Sequence, residues 1–285
     1  VGTTPEWFFH DYKSTNYTHW SEVKLNESLG EDIKLTWDLS RFHWMQQLAC
    51  RYKVDQNELF LDLINTWFVD WSKENPKNLG VNWSCGQECS IRIIHILNTT
   101  KIIDNVPCDV RLLTQLVEGY ARRIKSTVGY AVSQDNNHGV TEAAALFICG
   151  AWLLKNSHLS KSFSQSVLST GRAVLENRVS KLIMPDGGFS MYSTNYHRVV
   201  LNTLSIVEIW RKELDQPVFT EQYGERCRSA ISWLYLLVDD INGDIINLGA
   251  NDGSNPFIVQ TSDYRDYRPS IQFASVTMLN KKAYS

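Results

Sequence analysis

Apolar residues recur with helical spacing in almost every segment of this 285-residue sequence. The clearest segment runs from about Asp109 to Tyr130, where one face is apolar and charged residues occupy the rest. The same spacing predicts helices near 42–52, 59–71, 91–103, 143–154, 160–183, 220–238 and 269–280, and one after Tyr196. Strand signals are scarce, and a turn at 240–250 predicts at most a small hairpin. The sequence therefore predicts an all-α fold of about nine to ten helices.

The composition narrows the classes of protein to consider. With 43% hydrophobic residues, the chain can bury a large core as one domain or as two smaller ones. A formal net charge of −3 gives no general attraction to nucleic acid, so we expect no nucleic-acid partner. Polar residues interrupt every apolar stretch before the ~20 residues that a membrane span needs. We also expect no signal peptide in this sequence, because no charged-then-apolar segment opens it.

A first polar segment, 133–142, precedes a very apolar helical pattern at Ala143–Leu154. Asp135, Asn136 or Asn137 has the side chain needed to cap the start of that helix. A helix start presents free N–H groups and a partial positive charge, which suit an anion. The alternative is an ordinary capped helix without a ligand.

A second polar segment, 184–198, also leads into an apolar helix and ends in Tyr196, His197 and Arg198. Two helix starts in one chain therefore carry similar polar side chains. The alternative for Tyr196 is a packing aromatic whose hydroxyl is satisfied inside the protein.

The two polar segments resemble runs in the heparinase II/III superfamily of polysaccharide lyases, where an Asn-Asn-His run and a later Tyr-His-Arg run face one groove. Two upstream segments extend the resemblance, KLTWDLSR at 34–41 and Asn75-Pro76 followed by GVNWSCGQECSIR at 80–92. Helical periodicity alone does not choose between an irregular bundle and helix pairs that close into a ring. The resemblance implies the second, an incomplete (α/α) toroid over 34–285. Residues 1–33 are polar and aromatic without a sustained period, and they are predicted to form an N-terminal arm. The resemblance also implies a C-terminal β-sandwich domain, which we expect to lie outside this sequence.

The resemblance implies β-elimination on an acidic polysaccharide. A lyase of this kind removes the C5 proton of a uronic acid and expels O4, so charge growing on the carboxylate must be offset. By resemblance, Asn137 and His138 neutralise the carboxylate and Tyr196 is the Brønsted acid, with His197 as a fourth catalytic candidate. Free tyrosine has a pKa near 10, so a tyrosine base needs nearby positive charge from His197 or Arg198.

Further residues of the four segments are expected to bind the glycan. They are Trp37, Arg41, Trp83, Gln87, Glu88, Arg92, Asn136, Tyr192, Asn195 and Arg198. Glu88 and Arg92 are four residues apart on a predicted helix, so they could instead pair with each other. Few arginines stand near the expected groove, and an unsulfated uronate polymer is as plausible a substrate as heparin.

No cofactor and no metal are expected. Cys85 and Cys89 lack a second pair at zinc spacing, and Asn251-Asp252-Gly253 is better explained as a plain turn than as a calcium site. Two other functions fit the same residues. One is a non-catalytic glycan-binding or surface-polysaccharide assembly protein, and the other is a uronyl C5-epimerase, which removes the same proton. The sequence leaves the compartment open between the periplasm and the cytoplasm of a bacterium.

Overall fold

The computed structural model describes residues 4–8, 10–24, 32–104, 109–156, 161–257 and 261–284. Within these ranges it contains ten α-helices and no β-strand. They are α1 Lys34–Leu39, α2 His43–Asp55, α3 Leu59–Glu74, α4 Gly86–Ile102, α5 Val110–Ser133, α6 Asn137–Asn156, α7 Lys161–Leu182, α8 Thr194–Glu213, α9 Glu221–Leu237 and α10 Arg268–Leu279. The chain forms two compact units, called unit 1 (Val1–Ile124) and unit 2 (Lys125–Ser285).

Unit 1 is built around α2, which packs against α3 and α4. Its core includes the edge-to-face ring pair of Phe42 and Trp71, with centroids 4.7 Å apart. The chain leaves α3 at Asn75, directly before Pro76, because the residue that precedes a proline disfavours helical geometry. Residues 10–17 of the predicted N-terminal arm form a 3-10 helix, whereas 25–31 lie outside the described ranges.

Unit 2 is organised around α6, which is buried over most of its length because its residues are almost all apolar. α7 runs antiparallel to α6, and two glycines allow the helices to approach closely. A Cβ on Gly150 would lie 2.3 Å from the backbone nitrogen of Leu168, and one on Gly171 would lie 2.3 Å from that of Phe147. On its other sides unit 2 is completed by α8, α9 and α10.

The predicted C-terminal hairpin is reduced to one antiparallel bridge, between Val238 and Ile245. The turn between them bonds to the segment before α10 instead of extending a ladder. The Tyr267 N–H donates to the Gly243 carbonyl at 2.8 Å, and Arg265 pairs with Asp244 at 2.6 Å. No helix in the described ranges is long and apolar enough to cross a bilayer.

Candidate active site

The first polar segment forms the turn between α5 and α6, and Asn136 is the residue that caps α6. Its Oδ1 accepts the N–H of His138 at 2.9 Å. Asn137 is the first residue of α6 and is buried, while His138 in the same turn is partly exposed. Polar side chains therefore stand at the positive end of a buried helix.

Two basic residues of α7 hold the α5–α6 turn in place. Arg178 donates to Asp135 Oδ1 at 2.6 Å and to the Val132 carbonyl at 3.0 Å, and Lys181 lies 2.8 Å from Asp135 Oδ2. Hydrogen bonds from these two residues hold the pKa of the Asp135 carboxyl below its ordinary value, and the bond from Lys181 contributes more than the bond from Arg178. Gly139 leaves room for this contact, because a Cβ there would lie 3.1 Å from Cδ of Arg178.

The second polar segment forms the start of α8, where Ser193 is the cap. Its Oγ accepts the N–H of Tyr196 at 3.1 Å and donates to the Ala250 carbonyl at 2.5 Å. The N–H of Thr194 donates to the Leu248 carbonyl at 3.1 Å. The loop that follows α9 is therefore docked on the start of α8.

Tyr196 lies in the first turn of α8 and points its hydroxyl at that docked loop. The phenol is partly exposed and donates to Oδ2 of Asp252 at 2.8 Å. The other oxygen, Asp252 Oδ1, accepts the N–H of Ser254 at 3.1 Å. Tyr196 is thus a solvent-accessible phenol beside a carboxylate, an arrangement suited to proton transfer.

The starts of α6 and α8 lie at the same end of the helices in unit 2. Because α7 is antiparallel to α6, Lys181 near its C-terminal end reaches the turn before α6. After α7 the chain folds back, and the N–H of Ser190 donates to the Leu182 carbonyl at 2.9 Å. α8 begins four residues after Ser190, a span of at most ~14 Å. The structure therefore brings the two polar segments to one end of the unit.

Two residues next to Tyr196 point into the protein instead. His197 is buried, with Nε2 2.9 Å from the Ala230 carbonyl and its ring stacked on Trp233 at 4.8 Å. Arg198 is fully buried, and its guanidinium lies 4.3 Å and 4.2 Å from the ring centres of Tyr264 and Tyr267. Both side chains serve packing rather than a solvent-facing site.

Burial of His197 predicts a loss of stability at acid pH. Burial lowers the pKa of His197 from 6.5 to about 4, so between these values the unfolded chain binds a proton that the folded chain does not. The stability that this group contributes is full above about pH 6.5 and falls as the pH is lowered towards 4, by on the order of 3 kcal/mol. Urea unfolding at several pH values measures this slope.

The variant His197→Gln should flatten that slope, since a glutamine amide still donates to Ala230 and carries no titrating group. His19 is exposed, so His19→Gln is the matched control and should leave the slope unchanged. Equal slopes for the wild type and His197→Gln would contradict the assignment.

Asn195 and Tyr192 are the other predicted binders in this segment. Asn195 is fully buried, and its Oδ1 accepts from Arg198 at 3.0 Å and lies 2.8 Å from the Tyr264 hydroxyl. The Tyr264 hydroxyl also lies 2.8 Å from Asn251 Oδ1. Tyr192 is 76% exposed, so of these two only Tyr192 presents its side chain to solvent.

In unit 1 the predicted pair of Glu88 with Arg92 does not form. Glu88 binds Arg41 with both oxygens, at 2.8 Å to Nε and 2.7 Å to Nη2. Arg41 also contacts Asp38. This fork geometry is the strong form of an arginine–carboxylate contact, and it occupies the guanidinium predicted to hold a sugar acid.

The remaining predicted binders of unit 1 are mostly interior. Arg92 is fully buried, with the Trp71 ring centre 5.4 Å and the Trp83 ring centre 5.9 Å away. Trp83 and Gln87 are buried as well. Trp37 is partly exposed and donates from Nε1 to the Val81 carbonyl at 3.1 Å.

The sequence alone missed the side chain that the Tyr196 hydroxyl contacts. Asp252 is predicted to lie in a plain turn, and no sequence signal connects it to Tyr196, because it follows Tyr196 by 56 residues. In the described part of the chain, no group of three or more His, Cys, Asp or Glu side chains is arranged to hold a metal ion.

Comparison with known proteins defines the class of this chain. Residues 4–246 match the family described as Heparinase II/III N-terminus. The chain therefore belongs to the heparinase II/III N-terminal domain family. No curated protein matches it.

Solved structures share the fold at low sequence identity. Heparinase III aligns with a TM-score of 0.56 and 18% identity over 72% of this chain and 31% of its own. A second heparinase III structure aligns with a TM-score of 0.55 and 18% identity, over 84% of this chain and 40% of its own. Heparan sulfate lyase HepC from Pedobacter heparinus aligns with a TM-score of 0.53 and 19% identity, over 79% of this chain and 34% of its own. This chain spans 31–40% of the length of these structures. The likeness confirms the predicted fold class, all-α and of the incomplete (α/α) toroid type.

Proposed function

We propose that this chain is the helical domain of a polysaccharide lyase that cleaves a uronic-acid-containing glycan by β-elimination. The observation that carries the proposal is the partly exposed phenol of Tyr196 at the start of α8, at the same end of unit 2 as Asn137 and His138. Membership in the heparinase II/III N-terminal family supports it. The heparan sulfate lyase among the structural relatives supports this class of reaction, although its own substrate is not carried over.

In the proposed reaction Tyr196 is the general acid. A base takes the proton from C5, the electron pair forms the C4–C5 double bond, and the C4–O4 bond breaks. The leaving O4 takes the phenolic proton of Tyr196. General acid–base catalysis of this type contributes about 10²–10⁴-fold to a rate. The base is either Tyr196 itself, as its phenolate, or a group from a further domain of the kind the family resemblance implies.

Asn137 and His138 are proposed to stabilise the charge that grows on the uronate carboxylate as C5 loses its proton. An amide N–H or an imidazole N–H donates to such a carboxylate, and the positive end of α6 adds to the effect. The Arg178 and Lys181 contacts hold the turn before α6, so these donors are oriented before the substrate binds. Preorganised donors stabilise charge without a reorganisation cost during the reaction.

The arginines predicted to recognise the glycan support a substrate charged by carboxylates rather than by sulfates. Arg92 and Arg198 are fully buried against aromatic rings. Arg41 is bound by Glu88. Their guanidinium groups thus have protein partners, and we propose an unsulfated uronate polymer as substrate.

Ultraviolet absorbance of the new C4–C5 double bond tests the proposal. The chain is incubated separately with hyaluronan, alginate, a bacterial uronate capsule and heparan. We expect a steady rise with at least one unsulfated polymer and little with heparan. A rise with heparan alone would overturn the proposed substrate class and leave the reaction in place.

Flat absorbance traces with every polymer would contradict a lyase in which Tyr196 is both the acid and the base. Two companion measurements then identify the alternatives. Deuterium incorporation at C5 in heavy water, seen by NMR without cleavage, would indicate a C5-epimerase. Calorimetric binding without exchange or cleavage would indicate a glycan-binding protein.

A further inference from the structure

The carboxylate of Asp252 lies beside the proposed catalytic phenol. We propose that Asp252 is a positioning residue that keeps Tyr196 protonated and oriented, so that Tyr196 acts as the acid and another group acts as the base. The inference rests on the proposed function for its consequence in catalysis. The contact that carries it is the hydrogen bond from the Tyr196 hydroxyl to Asp252 Oδ2, at 2.8 Å.

The turn that carries Asp252 is fixed by its own hydrogen bonds. Oδ1 of Asp252 accepts the N–H of Ser254 at 3.1 Å, and Oδ1 of Asn251 accepts the N–H of Gly253 at 3.0 Å. Nδ2 of Asn251 donates to Asn247 Oδ1 at 2.9 Å. One carboxylate oxygen therefore fastens Asp252 to the backbone, while the other is directed at the phenol.

The same loop is docked on the first turn of α8, which carries Tyr196. The Ala250 carbonyl accepts from Ser193 Oγ, and the Leu248 carbonyl accepts from the Thr194 N–H. Gly249 adopts φ +71°, and a Cβ there would lie 1.9 Å from the Tyr192 carbonyl oxygen. Only glycine fits this approach, so the distance between the loop and α8 is set by the backbone.

A carboxylate is an acceptor only, so its hydrogen bond with Tyr196 requires the phenolic proton. A phenolate at the same place would put two negative charges within hydrogen-bonding distance, which favours the protonated phenol. Two basic side chains that follow Tyr196 on α8 are directed elsewhere in the protein. Arg198 is directed at the carbonyl of Tyr264, and His197 at the carbonyl of Ala230.

The Asp252 carboxylate decides whether Tyr196 takes the C5 proton as a base or gives its own proton to O4 as an acid. A tyrosine base must first lose its proton, and Asp252 opposes that step. A tyrosine acid starts protonated, gives its proton to O4 as the C4–O4 bond breaks, and regains one from water. The Asp252 charge favours this return, and the C5 proton then goes to a base other than Tyr196.

The ionisation of Tyr196 tests the proposal without requiring activity. Near-ultraviolet titration of each protein and of its Tyr196→Phe version gives, by difference, the midpoint pH of Tyr196 alone. Asp252→Asn keeps the shape and a hydrogen-bonding group but removes the charge, so the midpoint should fall by about one pH unit. Asp252→Glu should restore most of the shift. Equal midpoints in the wild type and Asp252→Asn would overturn the inference.

Asp186→Asn is the matched control. Oδ1 of Asp186 also accepts an N–H two residues along the chain, from Gly188 at 3.0 Å, but Asp186 lies in the turn after α7. The Tyr196 midpoint should be unchanged in this variant. Chemical unfolding should show that all these exposed carboxyl variants retain the wild-type fold.

Kinetics on a cleaved polymer give the second readout. In Asp252→Asn the alkaline limb of kcat/KM should move to lower pH by about one unit, with KM changed less than kcat. An unmoved limb would contradict the positioning role. If no polymer is cleaved but the midpoint shifts, the proposed function fails and the control of Tyr196 by Asp252 stands. If a polymer is cleaved but the midpoint does not shift, the proposed function stands and the control of Tyr196 by Asp252 fails.

Discussion

Exchange of Tyr196 for phenylalanine is expected to lower kcat by about 10²–10⁴-fold, because it removes the proton that the leaving O4 must receive. The ring stays in place, so contacts to the glycan change little and KM should stay within a few-fold of the wild type. A loss confined to kcat indicates an interaction made in the transition state. Ultraviolet assays across substrate concentrations separate the two constants.

Tyr130→Phe is the matched control for this exchange. Tyr130 lies near the end of α5, 70% exposed, and losing its hydroxyl should leave kcat unchanged. The Tyr196 hydroxyl makes a solvent-accessible hydrogen bond, whose loss costs about 0.5–1.5 kcal/mol of stability. Unfolding curves would therefore show Tyr196→Phe still folded. If it kept a third or more of the wild-type kcat, Tyr196 would not be the acid.

The helices of this chain were predictable because burying them demands apolar residues at helical spacing. The expected helix at 59–71 corresponds to Leu59–Glu74, and Asn75-Pro76 stops it because the residue before proline disfavours helical geometry. The capped start of α6 was predictable for a similar local reason. Asn136 caps it, one of the three candidates that the sequence offered.

Side-chain orientation in the second polar segment was not predictable. The family resemblance implies that Asn195, His197 and Arg198 face a groove. α8, however, packs against α6, α9 and α10, which leaves little of its circumference for solvent. Polar residues on such a helix must find partners inside, as Arg198 does with Tyr264.

Contacts between residues far apart in the sequence were also not predictable. Glu88 and Arg92 fit a local helical pair, yet Glu88 binds Arg41, 47 residues earlier. The bidentate geometry of the Arg41 fork is stronger than a contact along one helix. The approach of Asp252 to Tyr196 likewise depends on how the loop after α9 docks, which local pattern does not encode.

Replacing Gly171 by alanine is expected to have a large effect on stability, a loss of about 4 kcal/mol or more. A Cβ at this position would lie 2.3 Å from the backbone nitrogen of Phe147 and 2.7 Å from the backbone carbon of Leu146. Backbone atoms in the middle of α6 cannot move aside as a side chain can. Relief would require α6 and α7 to separate along their whole interface, exposing the core of unit 2.

Gly129→Ala separates this clash from the general effect of removing a glycine. Gly129 lies in α5, and a Cβ there meets no atom within 4 Å. Alanine favours helix over glycine by about 1 kcal/mol, so Gly129→Ala should stabilise the protein. The stability measured by guanidinium unfolding should therefore fall for Gly171→Ala and rise for Gly129→Ala. If Gly171→Ala does not fold, the soluble yields of the two variants should differ in the same direction. A shift of the same sign in both would mean that α7 does not lie this close to α6.

The Arg178 and Lys181 contacts that hold the start of α6 depend on the same approach, so Gly171→Ala should also loosen the turn before Asn137.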